Sequence, residues 1–460
     1  MRLSWEGPDN RIMPAPEPAR TALFTRSFRK TFPAAVRGEG AWLWDSAGKK
    51  YLDFSGSAAV NFIGHGVGEI ADAMAAQARQ LEFIHSSQFV TKAAEDFAQQ
   101  VLDFAGEGFR GGAVYFTSGG SEATETALKL ARQYQAEIGQ KSRYQVLSRR
   151  QSYHGATLGA LAASGNLRRR EIYLPMVRVF EHVGIPYCYR CEYKCDDCAY
   201  HYAAELERAL AEHKNEVAGF LLEPVSGATL GAAVPPDGYL QNVAEICRAH
   251  SVLLIADEVM TGFGRTGLNF AVDHWSVAPD ILLCGKGISS GYLPLGAVIA
   301  SARVVEAIAK GSGAFTHGFT YNAHPVTVAV GAAVLERLRG LKLVAAANSE
   351  RGHIGRPLRE RLEKLRELEC VGDVRGIGLL WGIEFVSDKK SRRSFAPERN
   401  FAGKVAAAAV KRGVLVYPIQ GCVDGYQGDH LLLAPPAVIK EEEITWAVGE
   451  LRSAVAEALA

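Results

Sequence analysis

The stretch Ile281-Leu-Leu-Cys-Gly-Lys286-Gly-Ile-Ser-Ser-Gly-Tyr-Leu-Pro-Leu-Gly296 sets a lysine among glycines directly after a short apolar run. The run predicts a buried strand, so Lys286 is expected at a strand end and not on a solvated helix face. Burial lowers the pKa of a lysine toward its neutral, nucleophilic form, and glycines let another group approach closely. An ordinary lysine in a Gly-rich loop would give the same local sequence, so the rest of the chain must decide.

The chain on both sides of this stretch alternates apolar strands with helical periodicity. Strands are predicted at 113–116, 144–148, 219–222, 252–256 and 281–284. Several are apolar throughout and lie between helical segments, which is typical of a parallel sheet covered on both faces. A hairpin is predicted at 41–54, and helices are predicted at 69–82, 91–105, 122–134, 326–338, 349–368, 398–412 and 440–458.

These patterns predict an α/β protein with a large and a small domain. The 460 residues are too many for one simple core. We expect an N-terminal arm and small-domain segment at 1–68, a large domain at 69–325, and a C-terminal small domain at 326–460. The last part is predicted to be mixed α/β, with further strands at 378–385 and 413–417.

The composition excludes several classes of protein. The net charge is +1, which gives no footprint for nucleic acid or an anionic membrane surface. The N-terminus lacks the apolar core of a signal peptide, and no apolar stretch reaches membrane-spanning length. We therefore expect a cytoplasmic protein, whose eight cysteines are thiols or metal ligands more often than structural disulfides.

Three features upstream of Lys286 could bind one ligand. Thr117-Ser-Gly-Gly-Ser121 joins a strand to a helix, where backbone N–H groups and the helix dipole attract an anion. The same sequence could be a plain turn with Ser121 as the N-cap. Gln151-Ser-Tyr153-His154-Gly155 offers an aromatic ring that could stack on a flat ligand or simply pack.

The third feature is a pair of carboxylates, Asp257 and Glu258, at the end of a wholly apolar strand. Ligands of α/β sheets bind at this carboxyl edge, and a carboxylate there needs a cation or solvent. Together the features provide an anion cradle, an aromatic face, an acid and a buried lysine. Pyridoxal phosphate needs each of them, for its phosphate, its ring, its ring nitrogen and its aldehyde.

These residues resemble the class III aminotransferases, the pyridoxal phosphate enzymes of fold type I. The most specific segments are 257–267, DEVMTGFGRTG, and 285–296, GKGISSGYLPLG, with Leu221-Leu-Glu-Pro-Val225 upstream. The resemblance runs from about Trp42 to Pro436. It implies a large domain with a mostly parallel sheet covered by helices. It also implies a smaller α/β domain formed by the N- and C-terminal segments.

The resemblance also implies roles for individual residues. Lys286 would form the Schiff base and shuttle the proton, Asp257 would pair with the ring nitrogen, and Glu223 would lie on the substrate side. The other residues expected at the cofactor are Gly119, Gly120 and Ser121 at the phosphate, Tyr153, His154 and Val259 at the ring, and Thr320. Thr320 would reach the phosphate of the neighbouring subunit. A shared site of this kind implies a homodimer, with a tetramer left open.

Two departures from the family concern the substrate. Met260 stands where many members have a glutamine that reaches the cofactor hydroxyl, and a thioether accepts hydrogen bonds poorly. Tyr417 stands where several amine:pyruvate members have an arginine that binds the substrate carboxylate. A tyrosine cannot replace a bidentate guanidinium, so carboxylate recognition must use another group, or the donor lacks a nearby carboxylate.

A third departure is the segment Cys188-Tyr-Arg-Cys191-Glu-Tyr-Lys-Cys195-Asp-Asp-Cys198. Two C-x-x-C pairs could bind structural zinc or an iron–sulfur cluster, although zinc sites usually place a longer loop between pairs. A disulfide within the loop and free thiols are the alternatives.

The sequence thus predicts transamination from a primary amine or ω-amino acid to a 2-oxo acid, pyruvate or 2-oxoglutarate, with ping-pong kinetics through Lys286. The alternative is another pyridoxal phosphate reaction on the same scaffold, such as decarboxylation of a dialkyl amino acid, an aminomutase or a racemase. All of these would keep Lys286 and Asp257. A non-catalytic cofactor-binding module is disfavoured, because the lysine is present and no nucleic-acid footprint is visible.

Overall fold

The structure, a computed structural model, describes residues 22–28, 30–193, 197–213 and 215–460. Its strands are β1 Ala35–Glu39, β2 Trp42–Asp45, β3 Lys50–Asp53, β4 Ala113–Thr117, β5 Gln145–Arg149, β6 His182–Val183, β7 Val217–Leu222, β8 Leu253–Asp257, β9 Ile281–Cys284, β10 Gly296–Ala300, β11 Val371–Ile377, β12 Leu380–Phe385, β13 Val414–Leu415, β14 Tyr417–Gln420 and β15 Asp429–Leu433. Its helices are α1 Gly56–Ala59, α2 Gly68–Gln80, α3 Lys92–Ala105, α4 Gly120–Glu137, α5 Leu158–Ala163, α6 Leu167–Arg170, α7 Cys198–Glu212, α8 Tyr239–Ala249, α9 Ala302–Lys310, α10 Pro325–Gly340, α11 Leu343–Ala347, α12 Gly355–Glu363, α13 Phe401–Lys411 and α14 Glu441–Leu459.

The large sheet positions the site. Its seven strands lie in the order β4-β10-β9-β8-β7-β5-β6, and β6, β5, β7, β8 and β9 run parallel. Only β10 runs antiparallel to both of its neighbours. The predicted mostly parallel sheet is therefore confirmed, but β10 is missing from the prediction because Gly296–Ala300 directly follows the Gly-rich loop.

Alternation along β7 shows why this sheet is apolar throughout. Leu221 packs with α4 on one face, whereas Phe220 and Leu222 pack with α7 and α8 on the other. A strand covered on both faces buries every side chain, so the period-two signal of a half-exposed strand is absent. The helix α4 fits its sequence pattern, since the apolar residues of one helix face pack against the sheet: Ala123, Ala127, Leu130, Ala131 and Tyr134.

Two smaller sheets accompany the large one. One has the order β1-β2-β3-β13, and it joins the predicted hairpin to the C-terminal strand β13, which runs parallel to β3. The other is antiparallel, in the order β11-β12-β15-β14. The division into domains at 68/69 and 325/326 stays a prediction. The sheet shared between the first segment and the last one supports it.

Two element boundaries differ from the predictions for local reasons. The predicted helix 349–368 begins only at Gly355, because the Asn348 side chain accepts hydrogen bonds from the N–H groups of Glu350 and Arg351 and forms a turn there. The predicted strand 413–417 is divided between β13 and β14, which belong to different sheets. Across the described ranges, none of the helices has both the length and the apolarity needed to cross a membrane.

Candidate active site

The carboxyl ends of the neighbouring parallel strands β8 and β9 bring Asp257 and Lys286 to one edge of the large sheet. Both residues line a cavity of about 210 Å³. The predicted residues that share this lining are Gly120, Ser121, Tyr153, His154, Glu223, Val259 and Met260. Residues from five separate stretches of sequence therefore meet where α/β sheets bind their ligands.

Lys286 has the properties of a reactive amine. It lies two residues after the end of β9, directly after Gly285, and its φ of +45° lies in the left-handed region that residues with side chains rarely adopt. The residue is half-buried, with part of its surface facing the cavity. The protein packed around its amine lowers its pKa to about 8, although the negative charges of Asp257 and Glu223 oppose the shift.

We expect the reaction of Lys286 with pyridoxal phosphate in the apoprotein to accelerate as the pH rises through about 8. Only the neutral amine attacks an aldehyde, and its fraction grows with pH until the pKa is passed. The rate at which visible absorbance grows after cofactor is added, measured from about pH 6 to 10, reports this fraction. A rate that still rises steeply at the upper end of this range, as the usual lysine pKa of 10.5 would give, would contradict the lowered pKa.

Asp257 is held in one orientation by two neighbours. Its Oδ2 lies 2.7 Å from Nδ1 of His154, and its Oδ1 accepts a hydrogen bond of 3.1 Å from the Val259 N–H. His154 is itself fixed, because its backbone N–H donates to Ser164 Oγ and its carbonyl accepts from Thr124. The carboxylate is buried yet lines the cavity, so it can meet a cation or an N–H group there.

The adjacent Glu258 does not share this role. It is fully buried, accepts hydrogen bonds from the Thr261 hydroxyl and the Val272 N–H, and lies outside the cavity lining. Burial raises its pKa to about 7. Successive strand residues point to opposite faces of a sheet, which separates two carboxylates that are adjacent in sequence.

Glu223 closes the cavity at the end of β7. One of its carboxylate oxygens accepts from the Tyr153 N–H at 3.3 Å, and the other accepts from the Gly227 N–H at 3.1 Å. Burial raises the pKa of this carboxyl group, whereas the positive charge of Arg149 acts in the opposite direction. The carboxylate thereby ties the Tyr153 segment to the cavity wall.

The start of α4 forms another wall. Gly120 and Ser121 line the cavity, and the first N–H groups of a helix have no partner within it. Gly120 is needed for close packing, because a Cβ there would lie 2.9 Å from Val259 Cγ1. The Ser121 hydroxyl accepts from the Ala156 N–H, and the N-cap of α4 is Gly119, so the alternative in which Ser121 is merely the N-cap of a plain turn does not hold.

Three predicted site residues lie outside the lining: Gly119, Thr320 and Tyr417. Gly119 immediately precedes α4, and Thr320 is exposed on this chain. Tyr417 is half-buried and packs with the core on one side of the large sheet. Their roles stay predictions.

Met260 does line the cavity, and a Cβ on Gly227 would lie 2.5 Å from its sulfur. Three further lining residues were not predicted, namely Gly155, Val225 and Ala228. Gly155 and Val225 are the last residues of two motifs identified in the sequence, 151–155 and 221–225, but small apolar residues carry no chemical signal of their own. Ala228 had no signal at all.

The cysteine segment lies away from this cavity. The sulfurs of Cys191 and Cys198 are 2.8 Å apart, and Cys188 is exposed, while Cys195 lies outside the described residues. Among the residues that are described, no group of three His, Cys, Asp or Glu side chains is placed to hold a metal ion.

The cavity fits pyridoxal phosphate on the evidence of its own residues. The buried Nε2 of His154 has no hydrogen-bond partner among the described residues, as expected where a polar ligand belongs. A lysine amine with a lowered pKa, a buried carboxylate, an aromatic ring and a helix start supply the four contacts that this cofactor needs.

Comparison with known proteins gives the same result. The Aminotransferase class-III family profile matches residues 24–455. The chain is 38% identical over 425 residues to the uncharacterized aminotransferase YodT of Bacillus subtilis strain 168, covering 92% of this chain and 94% of YodT. It is 33% identical over 414 residues to the putrescine–pyruvate aminotransferase of Pseudomonas aeruginosa, covering 89% of this chain and 87% of that enzyme.

Among solved structures, an amine transaminase from an uncultivated Pseudomonas species, in its PLP-bound form, superposes with a TM-score of 0.89. The two sequences are 33% identical, and the superposition covers 96% of this chain and 100% of the transaminase chain. Fold and site together therefore define an aminotransferase of fold type I. The chain belongs to the class III aminotransferase family, whose members use pyridoxal phosphate.

Proposed function

We propose that this enzyme transfers an amino group from a primary amine or ω-amino acid to a 2-oxo acid, pyruvate or 2-oxoglutarate. The observation that carries the proposal is the Lys286 amine, whose pKa is lowered to about 8, beside Asp257 in one cavity. The name of the Pseudomonas aeruginosa relative, a putrescine–pyruvate aminotransferase, supports a donor amine that is remote from any carboxylate.

Each residue of the cavity has a task in this proposal. Pyridoxal phosphate, when bound, supplies an aldehyde for the amino group and a ring that takes up an electron pair. Lys286 Nζ, once released as a neutral amine, removes a proton from the substrate carbon that bears nitrogen and later returns one. Asp257, oriented by His154 and the Val259 N–H, holds a proton at the ring nitrogen.

The remaining walls bind and orient. The N–H groups at the start of α4, with Gly119, Gly120 and Ser121, bind the phosphate. Tyr153 and Val259 hold the two faces of the ring, and Glu223 positions the substrate side. Met260 puts an apolar side chain at the position where many family members have a hydrogen-bonding glutamine. This residue narrows the donor side of the cavity against Gly227.

A single-turnover experiment tests the reaction type. Holoenzyme mixed with a donor amine and no acceptor should release about one carbonyl product per chain and no carbon dioxide, because transamination is a half-reaction at each site. Later addition of pyruvate or 2-oxoglutarate should restore the starting absorbance. Release of carbon dioxide with unchanged absorbance would favour a decarboxylase. If no donor gave either a carbonyl product or carbon dioxide, the protein would be a non-catalytic cofactor-binding module.

We also propose a homodimer with shared active sites. The face around Thr320 exposes apolar side chains, with Phe89 63%, Val90 78% and Tyr321 61% accessible. The Phe83 ring lies 5.7 Å from that of Tyr321, so residues 83–90 and 320–321 form one surface. Exposed apolar surfaces of this kind mark interfaces, and light scattering should give the mass of two chains or of four.

Two finer predictions remain part of the proposal. The cytoplasmic location rests on composition. A zinc ion or iron–sulfur cluster at Cys188, Cys191, Cys195 and Cys198 rests on their spacing, and the disulfide and thiol alternatives stand beside it. Metal analysis of protein purified without chelator decides, since stoichiometric zinc or iron supports the metal and its absence removes it.

A further inference from the structure

Arg169 lies over the ring of Tyr153, which is one of the residues that line the cavity of Lys286. Its guanidinium carbon is 4.4 Å from the ring centroid, and its positive charge is among those that lower the pKa of Lys286. The residue belongs to the short helix α6, whose N-cap Asn166 accepts a hydrogen bond from the Arg169 N–H. The backbone of Arg169 is therefore fixed, and its side chain is half-buried against the aromatic wall.

Arg169 differs from the other arginines around the site. Arg149 donates to the Glu223 carbonyl, and Arg265 donates to the carbonyls of Asn61, Ala434 and Pro435. The Arg169 guanidinium has neither a carboxylate nor a carbonyl partner among the described residues. A guanidinium has five N–H donors, and one that is half-buried without an acceptor is unusual.

The neighbouring residues do not compensate its charge. Arg168 extends to the Gln420 side chain at 3.5 Å, and Arg170 donates to the Ser164 carbonyl at 2.9 Å. Glu171, which follows them, accepts a hydrogen bond from the Tyr426 hydroxyl at 2.9 Å. Three consecutive arginines thus leave an excess of positive charge beside the cavity, and this excess attracts an anion.

We propose that Arg169 binds the carboxylate of the 2-oxo acid, and so determines which acceptors the enzyme uses. A guanidinium that lies over an aromatic ring keeps its N–H donors in its own plane, where they can form the paired hydrogen bonds that suit a carboxylate. Tyr153 then serves two groups, the cofactor ring and Arg169. This inference rests on the proposed transamination. In it, Arg169 supplies the guanidinium for the carboxylate, which Tyr417 cannot provide.

The test compares Arg169→Gln, Arg169→Lys and the matched control Arg168→Gln as holoenzymes, with the two half-reactions measured separately. Arg169→Gln should lower kcat/KM for pyruvate by about 10²-fold, because the charge-assisted, paired hydrogen bonds to the carboxylate are lost. The half-reaction with a carboxylate-free primary amine should keep its rate. Arg169→Lys should recover part of the loss, since it keeps the charge without the paired donors, and Arg168→Gln should behave as wild type.

Equal losses in both half-reactions would overturn the proposal, because they would mean that Arg169 only supports Tyr153. Unchanged kinetics in Arg169→Gln would overturn it as well. Calorimetric titration with glutarate, a dicarboxylate that cannot be transaminated, separates this inference from the proposed function. If glutarate binds more weakly to Arg169→Gln but not to Arg168→Gln, the carboxylate site is supported even if the wild type transfers no amino group. Equal binding to the wild type, Arg169→Gln and Arg168→Gln contradicts it.

Discussion

Lys286→Ala should lower transamination by more than about 10⁴-fold, since it removes both the nucleophile that links the cofactor and the base that moves the proton. The visible absorbance of the lysine-linked cofactor should disappear. Pyridoxal phosphate should still bind without a covalent link, because the start of α4, Asp257 and the Tyr153 wall remain. Absorbance spectra, single-turnover rates and the amount of cofactor retained after gel filtration measure the three effects.

The fold should survive this substitution. The Lys286 side chain forms no hydrogen bond or ion pair with the described residues, and the surrounding protein disfavours its charged form. Removing a partly desolvated ammonium group costs little, so the melting temperature of the apoprotein should not fall. Lys310→Ala is the matched control, because Lys310 is exposed and its one ion pair among the described residues is with Glu306 on its own helix. Transamination that persists in Lys286→Ala would show that another residue carries the reaction.

The sequence predicts the parts of this site that need rare chemistry. A lysine among glycines after an apolar strand, and a carboxylate at the end of another, are expensive to bury, so their presence indicates a ligand. The large sheet was predictable because runs such as 252–256 are apolar throughout, as expected for a strand that is covered on both faces. The partnership of Asp257 and His154 was not, because 103 residues separate them and no local pattern joins them.

Other features depend on tertiary contacts that a local pattern cannot show. The sequence places Asp257 and Glu258 together, and only the sheet decides that one faces the cavity and the other the Thr261 hydroxyl. Ala228 lines the cavity by being small, which is invisible without the neighbouring walls. Arg169 would be taken from sequence for part of a solvated basic run, yet the structure stacks it on Tyr153.

Asp257→Asn should retain pyridoxal phosphate and lose about 10²- to 10³-fold in kcat, the range expected when one preorganised charge at a reacting centre is removed. An amide oxygen can still accept from the Val259 N–H, so the side chain should keep its place. It carries no negative charge, however, and cannot hold a proton at the ring nitrogen. The lysine-linked absorbance should therefore persist while the proton transfer at the substrate carbon slows.

The partner residue makes this variant more informative. In the wild type, the 2.7 Å contact to Oδ2 implies that the His154 proton lies on Nδ1, which leaves the buried Nε2 as an acceptor. An asparagine that turns its amide N–H toward Nδ1 reverses this arrangement and places the proton on Nε2. Two changes then act on the cofactor together, so the loss should exceed that of a variant at His154 which leaves the carboxylate in place.

Asp280→Asn provides the matched control for the charge. Asp280 directly precedes β9, accepts a hydrogen bond from the Leu254 N–H, pairs with Arg303 and is not among the residues that line the cavity. The same chemical change at this position should lower thermal stability slightly and leave kcat unaltered. If Asp257→Asn keeps wild-type turnover, or if both variants lose activity equally, the acid that serves the ring nitrogen is not Asp257. The buried carboxylate would then have only a structural role.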